Sequence, residues 1–203
     1  MELRLLTRDQ INVVHWDLLI KESQYSIFYA YHWYLDVVCK DWQAIVWQVG
    51  IHYQMVLPLP IKRKWGMVSI EQPLFCPYLG IFSRGDITPI QLKCFFKILH
   101  QNFRYISNYQ FKTQESGALL ALLAGDDRID FKVRTTYTIS LEKPHETIYA
   151  AYAKDKKVNI RKSRACKLQI TDSVDIEPLI QLFKENHADH IVGGVSEYAY
   201  ILL

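Results

Sequence analysis

The chain has 203 residues, half of them apolar and about an eighth aromatic, with a net charge of +3. That length and apolar richness suit one large domain or two small ones with packed cores, and they exclude an intrinsically disordered chain. No apolar run approaches the ~20 residues that cross a bilayer; the longest, Ala118–Ala124, is bounded by Gly117 and Gly125, so no membrane span is expected.

The first residues, MELRLLTRDQ, lack the basic start and long apolar stretch of a signal peptide. Glu2–Leu6 reads as a short strand, and Gln10–Lys21 as a helix with Asp9 available as N-cap. Ser26 can cap a second helix, Ile27–Cys39, on which Phe28, Tyr31 and Leu35 recur at near-helical spacing. Trp42–Val49 is a continuous apolar run, the pattern of a strand covered on both faces. Gly50 turns the chain into His52–Pro60, and Lys64-Trp65-Gly66 turns it again into Met67–Ile70, which predicts an antiparallel meander. A further strand, Tyr78–Phe82, follows the Pro73–Pro77 loop.

Thr88 with Pro89 predicts a helix start, running to about Gln101. Arg104–Phe111 alternates weakly as a strand, and Gly125-Asp126-Asp127 forms a turn into Ile129–Leu141. There Val133, Thr135, Tyr137, Ile139 and Leu141 recur at period two, the signature of a strand. Pro144 begins a short helix, the basic segment forms another, and Leu168–Ile170 reads as a strand. Val174 or Asp175 opens a last helix, whose Ile176, Leu179, Ile180, Leu182 and Phe183 make an apolar stripe. Helices alternating with runs of strands predict a mixed α/β (α+β) fold, with a mostly antiparallel sheet flanked by helices. A boundary near Arg134–Thr136 divides the chain into domains 1–135 and 136–203, although no linker composition marks it.

Charge is unevenly spread. Lys154–Lys167 holds seven basic residues and one acidic residue, a local charge of +6, so the remainder sums to −3. At 100° per residue, Lys154, Lys157, Arg161 and Arg164 fall within an arc of about 80° on a helix. Such a ridge can neutralise phosphate oxygens, the arginines bidentately, or it can stand as a solvated face. Lys62, Arg63 and Lys64 form a second basic cluster in the hairpin turn, where lysines commonly protect strand ends. Trp33, Tyr34, Trp65, Phe75 and Tyr78 could line a cleft or belong to the core.

Other chemistry is thinly represented. His187 and His190 stand three apart beside Glu185 and Asp189, but no further ligand cluster accompanies them, and no metal is expected. There is no G-x-S-x-G elbow, no phosphate-binding P-loop and no Cys–His pair. Cys39, Cys76, Cys94 and Cys166 are scattered without paired spacing, as in a reducing compartment, and a cytoplasmic location is the expectation.

Two stretches carry a family resemblance. In Leu57–Phe82, LPLPIKRKWGMVSIEQPLFCPYLGIF, a strand ends in Pro-x-Pro, a basic turn follows, and a QP-x-F loop leads into YLGIF. In Tyr137–Ile170, YTISLEKPHETIYAAYAKDKKVNIRKSRACKLQI, a strand pattern leads to a short helix and then to Asn159, Arg161, Lys162 and, with shifted spacing, Lys167. Together they resemble FemAB-type proteins of the GNAT-like (acyl-CoA N-acyltransferase-like) superfamily. The resemblance implies two GNAT-like units with a substrate cleft between them, the second incomplete here. It also implies transfer of an acyl or aminoacyl group to an amine. The donor would be acyl-CoA or aminoacyl-tRNA, with no tightly bound cofactor, and the acceptor a phosphorylated small molecule or cell-wall precursor.

On that reading Lys154, Lys157, Arg161 and Arg164 bind the anionic ligand, Trp65, Phe75 and Tyr78 line the acceptor cleft, and no catalytic residue is assigned. The family's donor loop, [QR]-x-x-G-x-[GA], would lie beyond Leu203; Gln114-Glu115-Ser116-Gly117-Ala118-Leu119 begins correctly but ends in Leu. The alternative is a non-catalytic binding module that exposes apolar surface and forms a homodimer. A third reading, tRNA or other RNA bound by the basic helix, predicts a steep loss of affinity with salt.

Overall fold

Strand β1, Glu2–Thr7, lies antiparallel to β2, Gln43–Val49, which in turn pairs antiparallel with β3, His52–Leu59. The computed structural model that shows this describes residues 2–112, 116–166, 175–191, 194–195 and 197–201. The chain falls into two units, Met1–Asp130 with Val195–Leu203, and Phe131–Gly194. The fold is mixed α+β, with mostly antiparallel strands.

In the first unit the apolar run of β2 is covered on both faces. Ala44 and Val46 face one side with Leu6 and Val56, against Trp16, Leu19 and Ile20 of α1, Val13–Glu22, and Leu35 of α2, His32–Val38. Ile45 faces the other side with Leu57 and Leu59, against Leu92, Phe95, Phe96 and Leu99 of α3, Pro89–Asn102. Each large buried side chain contributes roughly 1.5–3 kcal/mol on burial, so these two clusters supply most of what holds the layers together. Trp16 and Trp42 are fully buried, with ring centroids 4.9 Å apart. Their indole N–H groups are satisfied, Trp16 donating to the Ala30 carbonyl and Trp42 to Asp36, both at 2.8 Å.

The meander divides in two. Pro60 ends β3, and β4, Ile61–Lys64, pairs with β5, Met67–Glu71, in a second sheet. The first sheet is completed by the two-residue β6, Phe82–Ser83, beside Met55 and Val56 of β3. Pro58 is tolerated in β3 because β6 stops short of it, and the Tyr109 hydroxyl donates to its carbonyl at 2.8 Å. The second sheet is completed by β7, Tyr105–Asn108, parallel to β5. Of the strand expected over Tyr78–Phe82, only Phe82 is in β6, while Leu79 makes an isolated bridge to Phe111.

Two helix starts in the first unit differ from their expected places. Asp9 lies in a 3-10 turn, Arg8–Gln10, and α1 is capped by Asn12, whose Oδ1 accepts from the N–H groups of Val14 and His15. The helix expected over Ile27–Cys39 is broken into a 3-10 turn, Phe28–Ala30, and α2, with no cap from Ser26. Asp17 accepts from the N–H of His32 at 3.1 Å and so fixes the start of α2 there. The Thr88 cap with Pro89 at the start of α3 is as expected. Helix α4, Ser116–Ala124, follows β7.

The second unit contains α5, His145–Ala151, α6, Lys154–Ala165, and α7, Glu177–Asn186. The strand expected over Ile129–Leu141 is absent: the segment is unpaired, with Val133, Tyr137 and Leu141 exposed. Period two prepares a segment for a sheet, but a strand also needs a neighbour for its backbone groups, and the described residues of this unit contain none. Leu168–Ile170 lies outside the described residues. The last amphipathic helix starts at Glu177, three residues after Val174. Helix α8, Glu197–Ile201, groups with the first unit.

Candidate functional site

The loop after β5 holds Phe75 at φ 61°, in the left-handed region that costs an L-residue about 1–2 kcal/mol. Three contacts hold it there. The Cys76 N–H donates to the Pro73 carbonyl at 3.3 Å, and the Tyr34 hydroxyl donates to the Phe75 carbonyl at 2.5 Å. Gln72 spans the loop, its Nε2 donating to the Cys76 carbonyl at 2.6 Å while its Oε1 accepts from Gln110 N–H at 3.1 Å. A little further on, Leu79 N–H donates to Gln110 O and Lys112 N–H donates to Leu79 O, at 2.9 and 2.7 Å.

That pairing delivers Lys112 to the loop. Its Nζ lies 4.7 Å from the ring centroid of Tyr78 and 5.2 Å from that of Tyr25. Tyr29 stands edge-on to Tyr78 at 5.9 Å and to Tyr34 at 5.5 Å, and Phe28 caps the group 4.0 Å from Tyr29. Burial pushes the Tyr34 hydroxyl up to about 12 and raises that of Tyr29, so both stay neutral at physiological pH. Burial likewise pushes the Cys76 thiol up to about 12, which makes it a poor nucleophile. The result is a half-exposed aromatic wall with one cation, suited to stack a planar or sugar-like group.

Phe75 and Tyr78 are therefore brought together, joined by Tyr25, Tyr29, Tyr34 and Lys112. Trp65 is not with them. It sits at the tip of the β4–β5 hairpin, at φ 51° and 85% exposed, at the opposite end of β5 from the Phe75 loop. Five strand residues span about 17 Å, so Trp65 lines a different surface. The basic residues of this hairpin are paired: Lys62 with Glu71, and Arg63 with Asp41 at 3.3 Å, while Lys64 Nζ lies 4.6 Å from the Trp65 ring.

In the second unit, α6 carries all four cations of the predicted ridge. Asp155 in its first turn, and Lys162 and Arg164 in its last, suit the helix dipole. Lys154, Arg161 and Arg164 are exposed, and among the described residues none pairs with a carboxylate. Lys157 is spent locally: half-buried, it donates from Nζ to the Ala150 carbonyl at 2.8 Å and lies 5.7 Å from the Tyr149 ring. Val158 beside the ridge is half-buried, whereas Ala165 is exposed.

A polar cluster in the first unit has no signal in the sequence. Arg8 grips both carboxylate oxygens of Asp36 at 2.6 Å, and its guanidinium lies 5.5 Å from the Trp42 ring centroid. Asp17 holds the His32 ring through Nδ1 at 2.7 Å. These partners stand 15 and 28 positions apart, and only the packing of α1 and the Arg8–Gln10 turn against α2 brings them together. Among the described residues no three His, Cys, Asp or Glu side chains gather as a metal site, and no helix is long and apolar enough to cross a membrane. No family model, no curated protein and no solved structure matches this chain.

Proposed function

We propose that this chain is a scaffold for acyl or aminoacyl transfer to an amine, of the FemAB/GNAT-like type. The observation that carries the reading is the α6 ridge, where Lys154, Arg161 and Arg164 project without carboxylate partners among the described residues. A helix face with three uncompensated cations at helical spacing suits the phosphates of a coenzyme or a tRNA backbone. The mostly antiparallel strands flanked by helices in the first unit agree with what the resemblance implies for one such unit. The Phe75–Tyr78 wall supplies a second surface, where an acceptor can stack beside Lys112. In such chemistry the protein contributes chiefly by positioning the amine against an activated ester.

The test is calorimetric. Coenzyme A and unacylated tRNA are titrated separately into the wild-type protein and into the Arg161→Ala/Arg164→Ala double variant. Binding of one ligand, weakened about tenfold or more by the loss of two charge-assisted contacts, is the expected result. Binding of neither ligand to the wild type, or equal affinity in the variant, removes the ridge from the site. A steep salt dependence with tRNA alone identifies aminoacyl-tRNA as the donor class.

A specific feature favours the non-catalytic alternative. Val133, Tyr137 and Leu141 are 71%, 91% and 80% exposed, an exposed apolar segment suited to a partner protein or a second copy of the chain. A dimer in light scattering that dissociates on Tyr137→Lys, together with absent ligand binding, supports that reading. A monomer at high concentration counts against it.

A further inference from the structure

At the start of α1, an open cleft of about 400 Å³ lies between the helix and the exposed ends of β1, β2 and β3. A β-bulge shapes it. The register passes from Trp47 opposite Met55 to Gln48 opposite Tyr53, leaving Gln54 without a partner. Strict alternation would place Gln54 on the same face as Val56; the bulge puts Tyr53 there instead. Tyr53 is only 4% exposed, yet its hydroxyl reaches the cleft and accepts from the Asn12 N–H at 3.0 Å.

The amide oxygens around this cleft each accept from an N–H donor. Gln10 Oε1 accepts from Thr7 N–H at 3.0 Å, Asn12 Oδ1 accepts from Val14 and His15 N–H at 3.1 Å, and Gln48 Oε1 accepts from Arg4 Nη2 at 3.2 Å. Each amide oxygen faces an N–H donor, so the side-chain NH₂ groups are turned the other way. Among the described residues, several donors around the cleft have no hydrogen-bond partner: Gln10 Nε2, Asn12 Nδ2, the Tyr53 hydroxyl hydrogen and Arg4 Nη1. Glu2 offsets part of the Arg4 charge through Nε at 3.3 Å and leaves Nη1 free. The His15 ring stands 5.7 Å from that of His52 and 6.0 Å from that of Tyr53. Leu6 and Ile51 add an apolar side.

A concave surface with a guanidinium and several spare N–H and O–H donors favours negative charge. We infer that this cleft binds a small organic anion, a carboxylate or phosphate monoester whose apolar part rests on Leu6 and Ile51. Arg4 supplies the charge, and Tyr53 and Asn12 orient the oxygens. This site uses no residue of the α6 ridge and does not depend on the transferase reading.

The experiment is a ¹H–¹⁵N NMR titration of the full chain with benzoate and, separately, phenyl phosphate. It is performed on the wild type, Arg4→Gln and the Arg161→Ala/Arg164→Ala variant. Saturable shifts are expected at the amides of Asn12, His15 and Tyr53, with an affinity about tenfold weaker in Arg4→Gln and unchanged in the α6 variant. Arg4 is half-exposed on a strand, so its replacement should leave the fold intact, which the undisturbed spectrum of the unliganded variant checks. Saturation by benzoate identifies a carboxylate site, and saturation by phenyl phosphate a phosphomonoester site. Linear, unsaturating shifts with both probes, or equal affinity in Arg4→Gln, overturn the inference.

Discussion

A Cβ placed on Gly80 would stand under 3.0 Å from the backbone carbonyl oxygen of Lys112. The two segments approach so closely because Leu79 and Phe111 are bridged, and this same approach carries the Lys112 ammonium onto the Tyr78 ring. A structural glycine and a candidate binding cation are thus linked through one stretch of backbone.

Gly80→Ala should therefore destabilise the first unit by about 1–3 kcal/mol, the usual cost of forcing an extra methyl into a filled site. Gly85→Ala is the control, since nothing lies within 4 Å of its Cβ position. Urea unfolding followed by tryptophan fluorescence should show a lower midpoint for the first variant and an unchanged or slightly higher one for the second.

Trp65→Asn should stabilise the protein. Relief of the left-handed backbone is worth about 1–2 kcal/mol, and Asn-Gly is the preferred pair for a turn with positive φ at both central residues; here these are 51° and 75°. The exposed contact with Lys64 returns only about 0.5–1 kcal/mol. A net gain of roughly 0.5–1 kcal/mol, read as a higher urea midpoint with unchanged slope, is the expected outcome. A loss would show that Trp65 packs more than its exposure indicates.

The Arg8 pair makes stability acid-sensitive. Hydrogen bonding from Arg8 holds the Asp36 carboxyl below its ordinary value. A depressed carboxylate contributes stability that is complete above its unfolded pKa, near 3.9, and is lost as pH falls through the lower folded value. Wild-type stability should fall between about pH 5 and pH 2. Asp36→Asn should be less stable at pH 7, and the gap between the two proteins should narrow toward pH 2. A gap that stays constant with pH would assign the effect to packing around Trp42.

Lys157→Met should separate structure from binding on α6. Loss of the Nζ hydrogen bond to Ala150 should speed amide exchange in α5 and the first turns of α6. Ligand affinity should change by less than twofold, in contrast to the about tenfold expected on removing Arg161 and Arg164 together. Equal losses in the two variants would return Lys157 to the binding face.

The sequence determined what short-range chemistry can decide. The continuous apolar run of β2, the Thr88–Pro89 helix start, the turns at Gly50 and Gly66 and the helical spacing of the α6 cations are all local. Each follows from side-chain period, capping or backbone freedom within a few residues. The loop around Pro73–Pro77 points to Phe75 and Tyr78, but not to the left-handed backbone of Phe75 nor to the arrival of Tyr25, Tyr29 and Lys112 around it.

Tertiary structure decided between local equals. Asp9 and Asn12 are both able caps; Asn12 serves, and the Tyr53 hydroxyl from β3 holds its N–H. The aromatic spacing of Ile27–Cys39 is helical, but the Asp17 carboxylate restarts the helix at His32. Alternation over Ile129–Leu141 is strand-like, but backbone hydrogen bonds need a neighbour that a one-dimensional pattern does not contain. The donor-lined cleft at α1 depends on a single bulged residue, Gln54, which shifts Tyr53 to the other face of the sheet. Register of this kind is fixed by packing across strands far apart in the chain, and only the folded molecule expresses it.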